Sequence, residues 1–191
     1  METNVSAFRF VARRFGVVVL VFFGAGCQLL GGDPAQANRD RLQARLEEFS
    51  QVPSREQLTD QPYIKGRALV ITKRQEPSVM SMEDPIYWGS DKAKELMAET
   101  PEQVATVVVL NYSKEAAGSY KIVGASGGVS ASREICEVVV IDRSIPAVIH
   151  RKTFRAPDPV SSTSISHTQT EVVSSVDLTA VRTYVLNLPR R

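Results

Sequence analysis

Apolar residues follow two regimes along this chain. Between Phe15 and Leu30 they run almost unbroken, with Gln28 the one polar side chain. Downstream they recur at the spacings of secondary structure. Leu42, Leu46 and Phe49 fall at helical intervals within 39–49, with alternating charges opposite, and predict a short amphipathic helix. The β-branched and aliphatic residues of 64–72 predict a strand, with Lys65 and Arg67 at its wet end. Residues 74–90 carry Pro77, Pro85 and several polar groups and read as a loop. Within it, Ile86, Tyr87 and Trp88 form the densest aromatic cluster of the chain. A helix over 90–99 would turn Ala93, Leu96 and Met97 inward. Thr100-Pro101-Glu102-Gln103 then has the form of a capping box with proline at the first helical position, opening a single turn.

The run 105–111 is almost continuously apolar, as in a strand covered on both faces. Residues 113–118 read as a turn and 120–123 as a further strand. Next come a strand over 134–141, a turn at Asp142-Arg143-Ser144 and a strand over 147–154, with Asp142 hydrogen-bonding its own turn. Leu178, Val181, Val185 and Leu186 share one face of a closing helix that Pro189 stops. These elements predict a mixed α+β domain: a sheet of about five strands, mainly antiparallel, with the helices near 92 and 178 packed chiefly on one face. The hydroxyl-rich stretch 161–170 reads as a mobile loop. Residues 28–38 are small, polar and interrupted by glycine and proline, the composition of a flexible spacer. The expected organisation is a leader over 1–26, a tether with one short helix over 27–62, and a single folded domain from Tyr63 to the end.

The first apolar run has the parts of an export signal: Arg9, Arg13 and Arg14 ahead of it, the run itself, then small residues before Cys27. Gly24-Ala25-Gly26-Cys27 resembles the lipobox of bacterial lipoproteins, with Gly24 where the family usually carries an aliphatic residue. The resemblance implies cleavage before Cys27, acylation of its thiol and a membrane anchor in the bacterial cell envelope. Gln28 is not the aspartate that retains family members at the inner membrane, so the implied destination is the outer membrane where the host has one. An uncleaved anchor and an ordinary secretory cut after Gly26 remain alternatives, although a bilayer span calls for about 20 apolar residues. Beyond the signal, the chain is only loosely similar to small bacterial envelope lipoproteins in which a compact α/β domain follows a tether. That similarity implies no defined activity.

The formal charge of +2 resides in the leader, where three arginines face Glu2 alone, so residues 27–191 are neutral. No electrostatic case for nucleic acid remains. With Cys27 lipidated, Cys136 has no partner for an intramolecular disulfide. Its strand-face neighbours Val138 and Val140 predict a buried, inert thiol. Gly124-Ala125-Ser126-Gly127-Gly128 lacks the spacing of a dinucleotide fingerprint or a P-loop and reads as a flexible strand connection. A hydrolase would need His150 or His167 to activate a serine, with Asp142 or Asp158 orienting it. His150 could equally be a strand residue beside the basic rim of Arg151, Lys152 and Arg155. No cofactor or metal motif is read. The expected function is therefore a tethered binding or structural module that meets another envelope protein, with Tyr87, Trp88 and His150 as candidate binding residues. The alternative is an envelope hydrolase.

Overall fold

The computed structural model describes residues 33–75, 77–121, 128–159 and 170–191. Cys27, the leader, residues 124–127 of the glycine-rich connection and His167 lie outside them. Asn38–Arg191 forms one compact unit.

Six strands make one mixed sheet: β1 (Arg67–Arg74), β2 (Val79–Met82), β3 (Val104–Lys121), β4 (Gly128–Asp142), β5 (Ala147–Arg155) and β6 (Glu171–Ser174). The order is β2-β1-β3-β4-β5, with β6 beside the first half of β4. Pairing is antiparallel except for β1 with β3 and β6 with β4. The helices are α1 (Pro34–Ala44), α2 (Leu46–Phe49), α3 (Asp91–Leu96) and α4 (Leu178–Leu186).

Strand alternation sends successive side chains to opposite faces. Val70, Val108, Val138 and Val140 point to one face, where Ala93 and Leu96 of α3 and Val181 and Val185 of α4 cover them. Leu69, Ile71, Val107, Val109 and Val139 point to the other, where Leu42, Leu46 and Phe49 cover them. The middle of β3 and the end of β4 are apolar at successive positions because both faces are closed. Leu42 and Phe49 are 2% and 3% exposed, so the segment expected as a tether supplies a layer of the core, and the packed unit starts well before Tyr63. The chain from 55 to 59 then lies along the free edge of β5. There Gln57 N donates to Val148 O at 2.8 Å and Thr59 N to Ile149 O at 3.0 Å.

The helices near 92 and 178 share one face, as expected. Asp177 caps α4, its carboxylate accepting the amides of Thr179 at 2.8 Å and Ala180 at 3.2 Å. Proline does start the turn Pro101–Gln103, but Thr100 makes no side-chain cap; Gln103 Oε1 instead accepts the amide of Glu99 at 2.8 Å.

Residues 113–118 do not turn. β3 continues through them, exposed and paired with β4, which β6 flanks on its other side, so the strands expected near 105 and 120 are one. Its register shifts between Ala116 and Gly118, and Gly118 takes a φ of 126°, which a residue with a Cβ rarely adopts. Glycine plus polar composition imitates a turn there, because this part of β3 is exposed on both faces and carries no apolar alternation. The same lack of contrast concealed β2 and β6.

Candidate functional site

The aromatic cluster divides between surface and core. Residues Pro85–Trp88 form one 3₁₀ turn: Asp84 accepts the amide of Ile86 at 2.9 Å, proline fills the first position, and Gly89 closes it at a φ of 61°. Ile86 and Tyr87 are 70% and 72% exposed, whereas Trp88 is 7% exposed and belongs to the core. Trp88 therefore pins the turn and offers no open aromatic platform.

The pin is a hydrogen-bonded carboxylate. Glu83 accepts Trp88 Nε1 at 3.0 Å and the Thr72 hydroxyl at 2.7 Å. Arg182 of α4 lies 3.5 Å from the same carboxylate, stands 5.7 Å from the indole ring, and donates to Tyr87 O at 2.8 Å. A sequence signal for this unit does exist: Glu83 and Asp84 immediately precede a Pro-led aromatic turn. Nothing in the sequence pairs either with Arg182.

Behind the turn opens a cavity of about 240 Å³, lined by residues that include Thr72, Arg74, Ser81, Glu83, Tyr112 and Arg182, with Leu178 at its edge. Arg74 donates to Glu134 at 2.7 Å and stacks 4.5 Å from the centre of the Tyr112 ring. Burial pushes the Tyr112 hydroxyl well above its ordinary range. Thr72, Leu110 and Tyr112 are buried on this face of the sheet, and Leu178 and Arg182 of α4 line the cavity with them.

His150 occupies another place. Its Nε2 lies 2.5 Å from the Tyr184 hydroxyl of α4, and Phe154 meets the Tyr184 ring edge-on at 5.5 Å between centres. Burial, and secondarily Lys152, hold the imidazole below its ordinary pKa. Arg182 and Tyr184 stand two residues apart on α4, hence about 200° around it. One reaches Trp88 and the other His150, so the helix separates these residues and they do not share a site.

Asp142 does bond its own turn. It accepts the Ser144 amide at 2.8 Å and hydroxyl at 2.6 Å, and the Tyr63 hydroxyl at 2.9 Å. Burial works to raise its pKa, but those hydrogen bonds outweigh it and hold the carboxyl below the usual range. Asp158 pairs with Arg133 at 2.7 Å. Cys136 is fully buried, and burial pushes its thiol up to about 11. Gly124-Ala125-Ser126-Gly127-Gly128 also matches the Gly-X-Ser-X-Gly pattern of a nucleophile elbow, which its reading as a strand connection passes over. An elbow joins a strand to a helix. Here the segment joins antiparallel β3 and β4, paired up to Lys121 and Gly128, so the context that would give the pattern meaning is not met. Among the described residues, no group of three or more acidic, histidine or cysteine side chains could hold a metal ion. No protein-family model, curated protein or solved structure matches the chain.

Proposed function

We propose that this chain is a membrane-tethered binding module of the bacterial cell envelope, held by lipid on Cys27, which meets another envelope component through the turn carrying Ile86 and Tyr87. The carrying observation is that two large side chains, 70% and 72% exposed, stand on a backbone tied down at Asp84, Trp88 and Arg182. Exposed apolar groups in one fixed geometry lose little conformational freedom on binding, which is the property of an interface anchor. Membrane attachment is inferred from the lipobox-like residues. No helix among the described residues is long and apolar enough to cross a bilayer. The hydrolase reading gains no support from His150, whose Nε2 is engaged by Tyr184.

In cells where loss of the protein gives a measurable envelope defect, Ile86→Ala with Tyr87→Ala should fail to complement at unchanged abundance. A His150→Ala, His167→Ala pair should complement. The reverse outcome would replace the binding module with a histidine-dependent hydrolase.

A further inference from the structure

We infer that a second copy of this chain pairs with the outer edge of β2, antiparallel and about a two-fold axis at Ser81, joining the two sheets into one. β2 ends the strand order, with β1 on one side of it. Glu83 N donates to Val70 O at 2.9 Å, and Ser81 and Val79 stand opposite Thr72 and Arg74 further along the same ladder. Alternate residues of an antiparallel ladder bond inward, so Met80 and Met82 turn their N–H and C=O groups away from β1. Among the described residues, those outward groups have no protein partner. Such a row of donors and acceptors is matched by an extended polypeptide backbone. The other margins of the sheet are covered or interrupted. Residues 55–59 hydrogen-bond along β5. Beyond Tyr112, where β1 stops, β3 shifts register between Ala116 and Gly118 and carries Lys114, Glu115 and Lys121. β6 opens on Glu171. Cover, a bulge and charge are the devices that keep sheet edges apart. Val79-Met80-Ser81-Met82 has none of them, and its four-residue length makes the pairing reversible.

The register about Ser81 is the one that sets both outward residues of β2 against each other. Met80 exchanges its backbone hydrogen bonds with Met82 of the second copy, and Met82 with Met80. The side chains of Met80 and Met82 pack with the layer of Leu42, Leu46 and Phe49, so their pairing carries that apolar layer from one copy to the next. Ser81 meets Ser81 of the second copy on the other face. Val79 falls opposite Glu83, whose carboxylate is turned inward onto Thr72 and Trp88, so no like charges oppose each other. Self-pairing therefore meets no electrostatic obstacle at this edge. The two-fold axis stands perpendicular to the sheet, and both copies present the turn carrying Ile86 and Tyr87 on the same face, as two chains tethered to one bilayer can. The pair displays that turn twice, which raises avidity for a partner with two contact points. Pairing at β2 does not depend on what meets the turn.

Oxidation of the full-length chain in cell membranes with diamide tests the register. Directly opposed Cβ atoms lie about 4.5–5.5 Å apart, within reach of a disulfide after a small adjustment. Val79 and its copy are four positions out of register, about 13 Å apart. Ser81→Cys should therefore give a covalent dimer that reduction cleaves, at a yield about tenfold above Val79→Cys, although Val79 is itself 49% exposed. Cys136 is buried, and the parent chain supplies the background. Charge tests the affinity. Ser81 is exposed, so Ser81→Asp leaves the core intact while setting two carboxylates against each other across the axis. In sedimentation of the full chain in dodecyl maltoside micelles, the parent and Ser81→Asn should dimerise with rising concentration and Ser81→Asp should stay monomeric. The Met80 and Met82 amides should exchange with deuterium about tenfold more slowly in the parent than in Ser81→Asp. No dimer from Ser81→Cys above background, equal yields from the two cysteine positions, or a Ser81→Asp chain that dimerises like the parent would overturn the inference. So would a parent that stays monomeric at every concentration. A disulfide-linked species from Ser81→Cys with a mass other than twice the chain would also overturn it, giving the edge to a foreign strand.

Discussion

Replacing Glu83 with alanine strips the pinned turn of its common acceptor, and the cost can be worked from the geometry. Trp88 Nε1 and the Thr72 hydroxyl each lose a partner, on side chains 7% and 8% exposed. A buried donor left without an acceptor costs about 1–3 kcal/mol. Thr72 borders the cavity, so water can serve its hydroxyl and its share falls toward the lower end. The Arg182 pair is long at 3.5 Å and about one-third exposed on the arginine side, so screening leaves it well under about 1 kcal/mol. The expected loss is therefore about 2–4 kcal/mol, most of it from the indole. At about 2–4 °C per kcal/mol for a domain of this size, the melting temperature should fall by roughly 5–15 °C. Urea unfolding followed by circular dichroism measures the loss. Repeating Glu83→Ala in a Trp88→Phe background isolates the indole, since phenylalanine has no donor to strand; there the substitution should cost about 1–2 kcal/mol less. Equal cost in both backgrounds, or a loss below about 0.5 kcal/mol, would refute the claim that Glu83 holds the turn.

Val139, with no exposed surface at the centre of the sheet, should not tolerate a charge: Val139→Asp is expected to cost several kcal/mol, and a parent-like melt would refute the central placement of β4. His150 has a folded pKa below its ordinary value of 6.5, so the unfolded chain takes up its proton first as pH falls. The stability linked to it should be complete above about pH 6.5 and decline below, down to the folded pKa, and His150→Gln should flatten that slope in melts across pH 5–8. Asp142 likewise has a lowered pKa, so its contribution should be full above its ordinary value of 3.8 and vanish as pH falls through the folded value. Asp142→Asn should therefore weaken the acid dependence of unfolding. Metabolic labelling with a fatty acid should mark the parent and be lost in Cys27→Ala; retained labelling would refute the lipid anchor.

The fold was legible wherever burial enforced a pattern. Apolar runs at 107–110 and 138–141 announced strands covered on both faces, and Ala93, Leu96, Val181 and Val185 announced the helical layer between the sheet and solvent. It was illegible where strands lie at the exposed margins of the sheet. The far half of β3 is polar because solvent bathes it, and a glycine at a bulge there has the composition of a turn. Leu42, Leu46 and Phe49 marked helical structure, but the one helix expected over 39–49 is two, α1 from Pro34 inside the expected spacer and α2 after a break at Arg45, and the spacing cannot say which surface receives the apolar side. The site was half visible. Ile86-Tyr87-Trp88 drew notice as a cluster, yet its division into two displayed residues and one anchor depends on Glu83 and on Arg182, 95 positions from Tyr87. Likewise His150 stood out only as a rare residue type, and its partner Tyr184 lies 34 positions away.

Central to the account is the claim that the chain makes its functional contact at the turn. Two exposed apolar residues allow a controlled comparison: Tyr87, 72% exposed on the turn, and Leu58, 62% exposed on the segment covering the opposite edge of the sheet. A photoreactive phenylalanine analogue placed at one or the other in the full-length chain, irradiated in intact cells, should give a discrete crosslinked species from position 87 and none from position 58. Adducts that are the same from both positions, or that arise from position 58 alone, would contradict it.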